Sequence, residues 1–402
     1  MLQIRPILSA LKRHKSATLL MVLQIAITFA VVVNSISIIK QRLDLMNRET
    51  GLAESELIAF NINPFGENYD FEHNFKADIE LLRNTPGVID AAVTNMVPLS
   101  GSGSSSTVSA TQEDADNDED RGAGFFRGDS HILNTFGFKL ASGRNFRASE
   151  VIYTQEFVEP KVVIITQSLA NKLYPNSEAL GNQIYFWGTN NATIIGIIDT
   201  LAGPWVNSSI FMDNLILPLI TLSHFSRVVI RAEKPQISEI IGSVEKRLLY
   251  RNSNRVITNI RTLTEIKQSS YSDDYAMTKI LWSVVVLLIL ITLLGIVGIV
   301  SFNVNQRIKQ IGTRRALGAR KIDIQRYFIT ENILITSIGL FVGTLIAISF
   351  SLYLAQTFNI PSIDWYYYPV GILVMLMVGI MAVWVPAQKA SNVSPAVATQ
   401  SI

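Results

Sequence analysis

Four stretches without a charged side chain are spread very unevenly along this chain: 16–39 near the front, then 280–306, 332–363 and 365–388 crowded into the last third. Charged residues bound each of them, Lys15 and Lys40, Lys279 and Arg307, Glu331 and Asp364, Asp364 and Lys389. A bilayer core about 30 Å thick takes about 20 helical residues, and a Lys, Arg or Asp at its centre costs roughly 2.5 to 3.5 kcal/mol. Buried helices of soluble proteins rarely supply apolar runs beyond about 14 residues. The four runs are therefore expected to cross a membrane. Composition agrees, with 49% hydrophobic and only 16% charged residues and a mean hydropathy of +0.30.

Orientation follows from the placement of Lys and Arg beside the spans. Arg5, Lys12, Arg13 and Lys15 precede the first, and Arg307, Lys309, Arg314, Arg315, Arg320, Lys321 and Arg326 crowd the loop after the second. Both segments are expected on the cytoplasmic side. Both termini are then inside, and the long polar region between the first two spans is outside. The first span is too long, and ends too polar at Asn34, Ser35 and Ser37, for a cleaved signal peptide, so an uncleaved anchor is expected. The chain has no cysteine, which excludes thiolate metal sites, thiol catalysis and haem attachment through CxxCH.

The polar region reads as alternating helices and strands. Phe71, Phe75, Ile79 and Leu82 keep helical spacing until Pro86-Gly87, and Val88 to Val93 suits a strand. The Ser/Gly run 100–106 and the acidic run 113–120 read as surface loops. Strands are expected at 162–165, 183–187 and 192–198, with a helix at 167–173. A further strand, helix and strand are expected at 227–231, 237–249 and 255–260. The fold class expected is a membrane protein with four transmembrane α-helices and a large α+β extracytoplasmic domain inserted between helices 1 and 2. Its divisions are a cytoplasmic amphipathic leader 1–15, a first span 16–39, a stalk 40–55, and an α+β subdomain made of 56–97 and 226–262. A second α+β subdomain, 98–225, is inserted in it. A stalk 263–279, a span 280–306, a cytoplasmic loop 307–331, a span 332–356, a short outer loop 357–364, a span 365–388 and a cytoplasmic tail 389–402 complete the chain. The two stalks are expected to continue their spans outward as helices.

Catalytic chemistry is sparse. No GxxxxGK[ST] occurs, so no P-loop ATP site is expected in this chain. His14, His73, His131 and His224 are scattered and form no HExxH. Asp114, Asp116 and Asp118 imitate the start of a calcium loop, but Glu119 stands where its glycine belongs. The runs contain no Asp, Glu, Lys, Arg or His, which disfavours an ion-coupled transporter. Gly339 and Gly343 in the third run, and Gly295 and Gly298 in the second, are candidates for close helix packing, within the chain or against a second copy.

The sharpest local signal is the basic loop. Ile308 and Ile311 make an amphipathic turn, Arg314 and Arg315 an exposed pair, and Gly318-Ala319 a stop before a new helix near Lys321. Its order, Ile311, Gly312, Arg314, Arg315, Ala316, Gly318, Ala319, resembles the loop between the second and third spans of FtsX/MacB-like ABC transporter permeases, with Gln310 where glutamate is usual. Further stations resemble that family in the same order: Gly137, Gly143-Arg144 with Phe146, Val162 to Ile165 with Leu169-Ala170, Gly181, Gly196, and the tail 394–398. The resemblance implies a type VII, mechanotransmission permease with no fused ATPase domain. Its loop, Arg307, Lys309, Gln310, Ile311, Gly312, Arg314, Arg315, Ala316, Gly318 and Ala319, would meet a separate cytoplasmic ABC ATPase that binds ATP and Mg. A second permease chain, as homodimer or heterodimer, is implied too, with a periplasmic adaptor and an outer-membrane duct, and no nucleic acid. Export of a peptide, antibiotic-like or other periplasmic cargo across a bacterial inner membrane is the expected function. A lipoprotein-extracting permease and an FtsX-like signalling protein controlling a cell-wall hydrolase are the alternatives. A push on the loop is expected to reach the outer domain through the second span.

Overall fold

The computed structural model describes residues 15–67, 69–116, 121–156, 158–187, 190–358 and 362–394. The leader before Lys15, the end of the acidic run, the start of the short loop after the third span and the tail motif from Pro395 lie outside the described residues. The chain divides into two units: residues 1–46 with 274–402, and residues 47–273.

In the first unit, among the described residues, four helices are long and apolar enough to cross a membrane. They are α1 (Lys15–Met46), α8 (Ser272–Gln306), α10 (Lys321–Phe358) and α11 (Tyr367–Ser391), with a short α9 (Ile308–Ala316) between the second and third. Two kinds of seam join them. Gly339 and Gly343 of α10 face α1 so closely that a Cβ would stand 2.9 Å from the Ile25 side chain and 2.8 Å from the Ala26 carbonyl oxygen. Such contact maximises dispersion between helices that gain nothing from the hydrophobic effect in lipid. Between α1 and α8, which share the same apolar cluster, polar contacts are added. The hydroxyls of Thr28 and Thr292 share a 2.8 Å hydrogen bond, Gln24 Nε2 donates to the Ile291 carbonyl at 3.0 Å, and Arg42 pairs with buried Asp274 at 2.8 Å. Gly295 makes room for Gln24, whereas a Cβ on Gly298 would meet nothing among the described residues. Of the four glycines expected to pack helices, Gly298 alone does not do so here. Asn332 Nδ2 donates to the Gly379 carbonyl of α11, and Lys321 to Asn392, fastening the third helix to the fourth.

In the second unit, β1 (Leu57–Pro64), β2 (Val88–Thr94), β12 (Ser226–Ala232) and β13 (Arg255–Thr262) form an antiparallel sheet in the order β13-β1-β12-β2. Helices α2 (Phe71–Arg83) and α6 (Ile237–Arg251) share its core through Phe75, Ile79, Leu82, Ile240, Val244 and Leu248. The sequence is thus cut in two and rejoined in one layer. A buried carboxylate ties the pieces: Asp78 of α2 accepts from Arg251 Nε at 2.8 Å and from Arg255, itself fully buried. Burial pushes the Asp78 carboxyl above its ordinary pKa, and the two guanidinium charges oppose that rise.

The segment between β2 and β12 builds a second sheet from β3 (Ser105–Ser109), β4 (Arg121–Arg127), β5 (Leu140–Gly143), β7 (Val162–Thr166), β8 (Gln183–Phe186), β9 (Asn190–Ile198) and β10 (Asn214–Leu217). Its order is β5-β9-β7-β10-β4-β3-β8, and β8 also pairs with β9, so six of the strands close on themselves. Closure removes exposed strand edges. Short helices α3 (Gln112–Asp116), α4 (Ile132–Phe136) and α5 (Gln167–Leu173) and the parallel pair β6 (Ile152–Thr154) and β11 (Leu219–Thr221) complete the domain.

Several local expectations change, and the start of the acidic run, expected as a loop, is the short helix α3. Ser105 and Ser106, expected in a loop, begin β3, because pairing to both β4 and β8 overrides weak serine propensity. Helix α1 stops at Met46, with Gly51 in a left-handed turn soon after, so the first stalk is only partly helical. The second stalk is broken: α7 (Leu263–Ser270) ends at buried Tyr271 before α8 begins.

Candidate functional site

The basic loop is a short helix framed by two turns. At its end the Gly318 N–H donates to the Arg315 carbonyl and the Ala319 N–H to the Arg314 carbonyl, with Gly318 at φ +98°, the closure that a left-handed glycine allows. Helix α10 then starts at Lys321, where Asp323 Oδ2 accepts from the Arg320 N–H at 3.0 Å. Most of the segment expected as a loop up to Glu331 is therefore helical.

One face of α9 is anchored. Arg307, just before it, donates through Nη1 to both oxygens of Glu331 at 3.2 and 3.0 Å, and both side chains are nearly buried. Ile311 belongs to the same apolar cluster as Ile324 and Phe328 of α10. The Arg314 guanidinium lies over the Tyr327 ring, 5.1 Å from its centre. Gly312 is buried, and half-buried Arg315 donates to the Ala319 carbonyl at 3.3 Å. The expected exposed arginine pair is thus split: Arg314 reaches solvent while Arg315 braces the turn.

The other face is bare. Lys309, Gln310, Thr313, Arg314, Ala316, Leu317 and Gly318 are exposed, and Leu317 is 84% so. Leu317 was not singled out in the sequence. The available signal was a large apolar side chain between Ala316 and Gly318 in a segment otherwise charged. Burying such a side chain against a partner contributes about 1.5 to 3 kcal/mol.

The outer-domain positions behave differently, since they hold backbone rather than present chemistry. Gly143 and Gly196 are register partners in the β5 to β9 pair. A Cβ on Gly143 would stand 2.3 Å from the Ile195 carbonyl oxygen, and one on Gly196 2.5 Å from that of Arg144. Arg144 grips Glu150 with two hydrogen bonds, 2.7 and 2.8 Å, and Phe146 is buried beside them. Those bonds, with one from the Arg147 N–H, hold the Glu150 carboxyl down at a pKa of about 2. Gly137 caps α4 at φ +82°, and Gly181 takes a left-handed turn that donates to the Ile194 carbonyl. His131 Nδ1 lies 3.1 Å from Asp90, and His224 Nδ1 lies 3.1 Å from the Pro64 carbonyl. Among the described residues no group of three His, Asp or Glu is placed to hold a metal ion.

Comparison with known proteins gives this arrangement a family. A MacB-like periplasmic core domain profile matches residues 18–247, and an FtsX-like permease C-terminal profile matches 282–395. The chain belongs to the MacB/FtsX-like family of ABC transporter permeases, membrane-embedded proteins with a MacB-like periplasmic domain. It is similar to the macrolide export ATP-binding/permease protein MacB of Chromobacterium violaceum, 25% identical over 64% of this chain and 40% of that one. It is also similar to the uncharacterized ABC transporter permease YknZ of Bacillus subtilis, 25% identical over 65% of this chain and 66% of that one. The chain spans less than two thirds of these relatives. Solved structures that resemble it include the periplasmic region of MacB from Actinobacillus actinomycetemcomitans, with TM-score 0.33 and 14% identity over 55% of this chain and 94% of that one. The extracellular domain of YknZ from Gram-positive bacteria gives TM-score 0.32 and 13% identity over 50% and 100%.

Proposed function

We propose that this chain is the permease subunit of an ABC-type exporter in a bacterial inner membrane, with both termini cytoplasmic and the large domain periplasmic. A separate nucleotide-binding subunit, loaded with ATP and Mg, grips the exposed face of α9. Its motion passes through the helices of a permease dimer into the periplasmic domains, which expel a peptide, antibiotic-like or other periplasmic cargo toward an adaptor and outer-membrane duct. The observation that carries this reading is the two-faced loop helix: it is fastened to α10 from one side by Arg307, Ile311 and Arg314, and offers Lys309, Thr313 and Leu317 from the other.

The test begins with sidedness, which the cysteine-free chain makes simple. Single cysteines at Thr111 and Thr313 are expected to react with a membrane-impermeant maleimide from opposite sides of intact cells and inverted vesicles; labelling of both from outside ends the proposal. Purification of the full chain from membranes is then expected to bring down an ATPase, and to lose it with Leu317→Asp. Recovery of a cell-wall hydrolase or a lipoprotein carrier instead of an adaptor would move the reading to a signalling or lipoprotein-extracting relative.

A further inference from the structure

The loop is joined by sequence to the second span, yet its packing belongs to the third. On the α9 side, positions 307, 311 and 314 follow the three-to-four residue spacing of one helical face. On the α10 side, positions 324, 327, 328 and 331 do the same. Their meeting points are an ion pair at one end, an apolar contact in the middle and a guanidinium over a ring at the other. Helix α10 then runs without a break from Lys321 to Phe358. Displacement of its inner end is carried into the membrane as motion of one rod.

The rod has a stiff neighbour. At Gly343 it packs on the Ala26 backbone of α1 and at Gly339 on the Ile25 side chain, at separations that leave no room for one added carbon. Helix α1 continues to Met46, and the chain enters the large domain at Asn47. The second span offers a softer path. It shares an apolar cluster with α1 through Ile296 and Val300 and adds polar contacts at Thr292, Ile291 and Asp274, but its Gly298 faces no neighbour among the described residues. We infer that force on the 308–316 helix enters the bundle through the third span and leaves by the first, and that the buried Arg307–Glu331 pair is the joint where it enters. Glu331 is then a positioning residue for coupling. It touches neither cargo nor nucleotide, and it works only while Arg307 holds it.

The inference rests on the permease reading, and one experiment separates the two. Membranes containing the full chain, with a single cysteine at Thr111 and the ATPase that co-purifies with it, are labelled with an impermeant maleimide with and without ATP and Mg. The unaltered chain is expected to change its labelling rate with nucleotide. Glu331→Gln and Arg307→Gln are each expected to lose that change while abundance and ATPase co-purification stay normal. The reversed pair, Arg307→Glu with Glu331→Arg, is expected to restore it, which a merely structural role for either charge alone would not produce. Should Glu331→Gln fail to reach the membrane, Arg307→Lys decides: it keeps the charge but loses the two-oxygen grip, and a weakened response is expected. An unaltered response in any of the three single variants, or no rescue by the reversed pair at normal abundance, overturns the joint. If the unaltered chain brings down no ATPase and shows no response, the permease reading falls and the joint with it.

Discussion

Two stretches of this chain carry family-like motifs, the β5 turn with Gly143, Arg144 and Phe146 and the loop with Arg314 to Ala319, and their geometry differs in kind. At the first, every motif side chain or missing side chain is spent within the domain: Gly143 and Gly196 let two strands touch, Arg144 clamps Glu150, and Phe146 is buried. At the second, Arg314, Ala316, Leu317 and Gly318 are exposed. A motif whose residues satisfy one another describes a fold. A motif with an anchored face and a bare one leaves a surface for the partner proposed above.

The comparison breaks first at Gly143. Its backbone is left-handed at φ +80° and packed against the Ile195 carbonyl, so Gly143→Val adds both strain and a clash. The expected loss is about 3 kcal/mol or more, of the size reserved for strain at special backbone positions and core overpacking. Thermal unfolding of the full chain in detergent reads it; a change under about 0.5 kcal/mol would remove the β5 turn from the folding side of the contrast. On the loop side, Leu317→Asp is expected to leave unfolding within about 0.5 kcal/mol, as surface substitutions do. It should nonetheless weaken recovery of the ATPase by about tenfold or more, the equivalent of losing about 1.5 to 3 kcal/mol of apolar burial. A melt as severe as that of Gly143→Val would mean that the bare face is not bare.

How far each region was legible in the sequence follows the same line. The spans were plain, because uncharged runs of that length have few alternatives in a soluble fold. Strands such as 162–166 and helices such as 71–83 followed from period and breakers. Strand β1 was not readable in that way. It lies between two neighbours in its sheet and is buried along both faces for most of its length, so Leu57 to Phe60 show no alternation. The loop helix, its glycine stop and the restart at Lys321 were visible from Gly318 and the order of apolar residues. What stayed hidden was which way each residue faced. Arg307 and Glu331 mark the ends of two uncharged runs, and nothing local says that they meet, because their contact depends on how α10 folds back on the loop.

The smallest effect is expected at the Arg144–Glu150 grip, and pH sharpens it. Glu150 falls from an ordinary value of 4.5 to about 2 because Arg144, and secondarily the Arg147 N–H, hydrogen-bond its charged form. A carboxyl whose folded pKa is depressed contributes stability that is fully present above its unfolded value and disappears as pH falls through its folded one. The contribution is therefore complete above pH about 4.5 and lost toward pH 2. Arg144 is 40% exposed, so solvent screening reduces it to about 1 kcal/mol. Glu150→Gln is expected to lower stability by that amount at pH 7 and to match the unaltered chain near pH 2. A constant difference across the whole range would mean that the pair acts through packing of the turn, not through charge. It would also place Arg144 with Gly143 as a purely steric element, leaving the loop as the one motif in which charge does what shape alone does not.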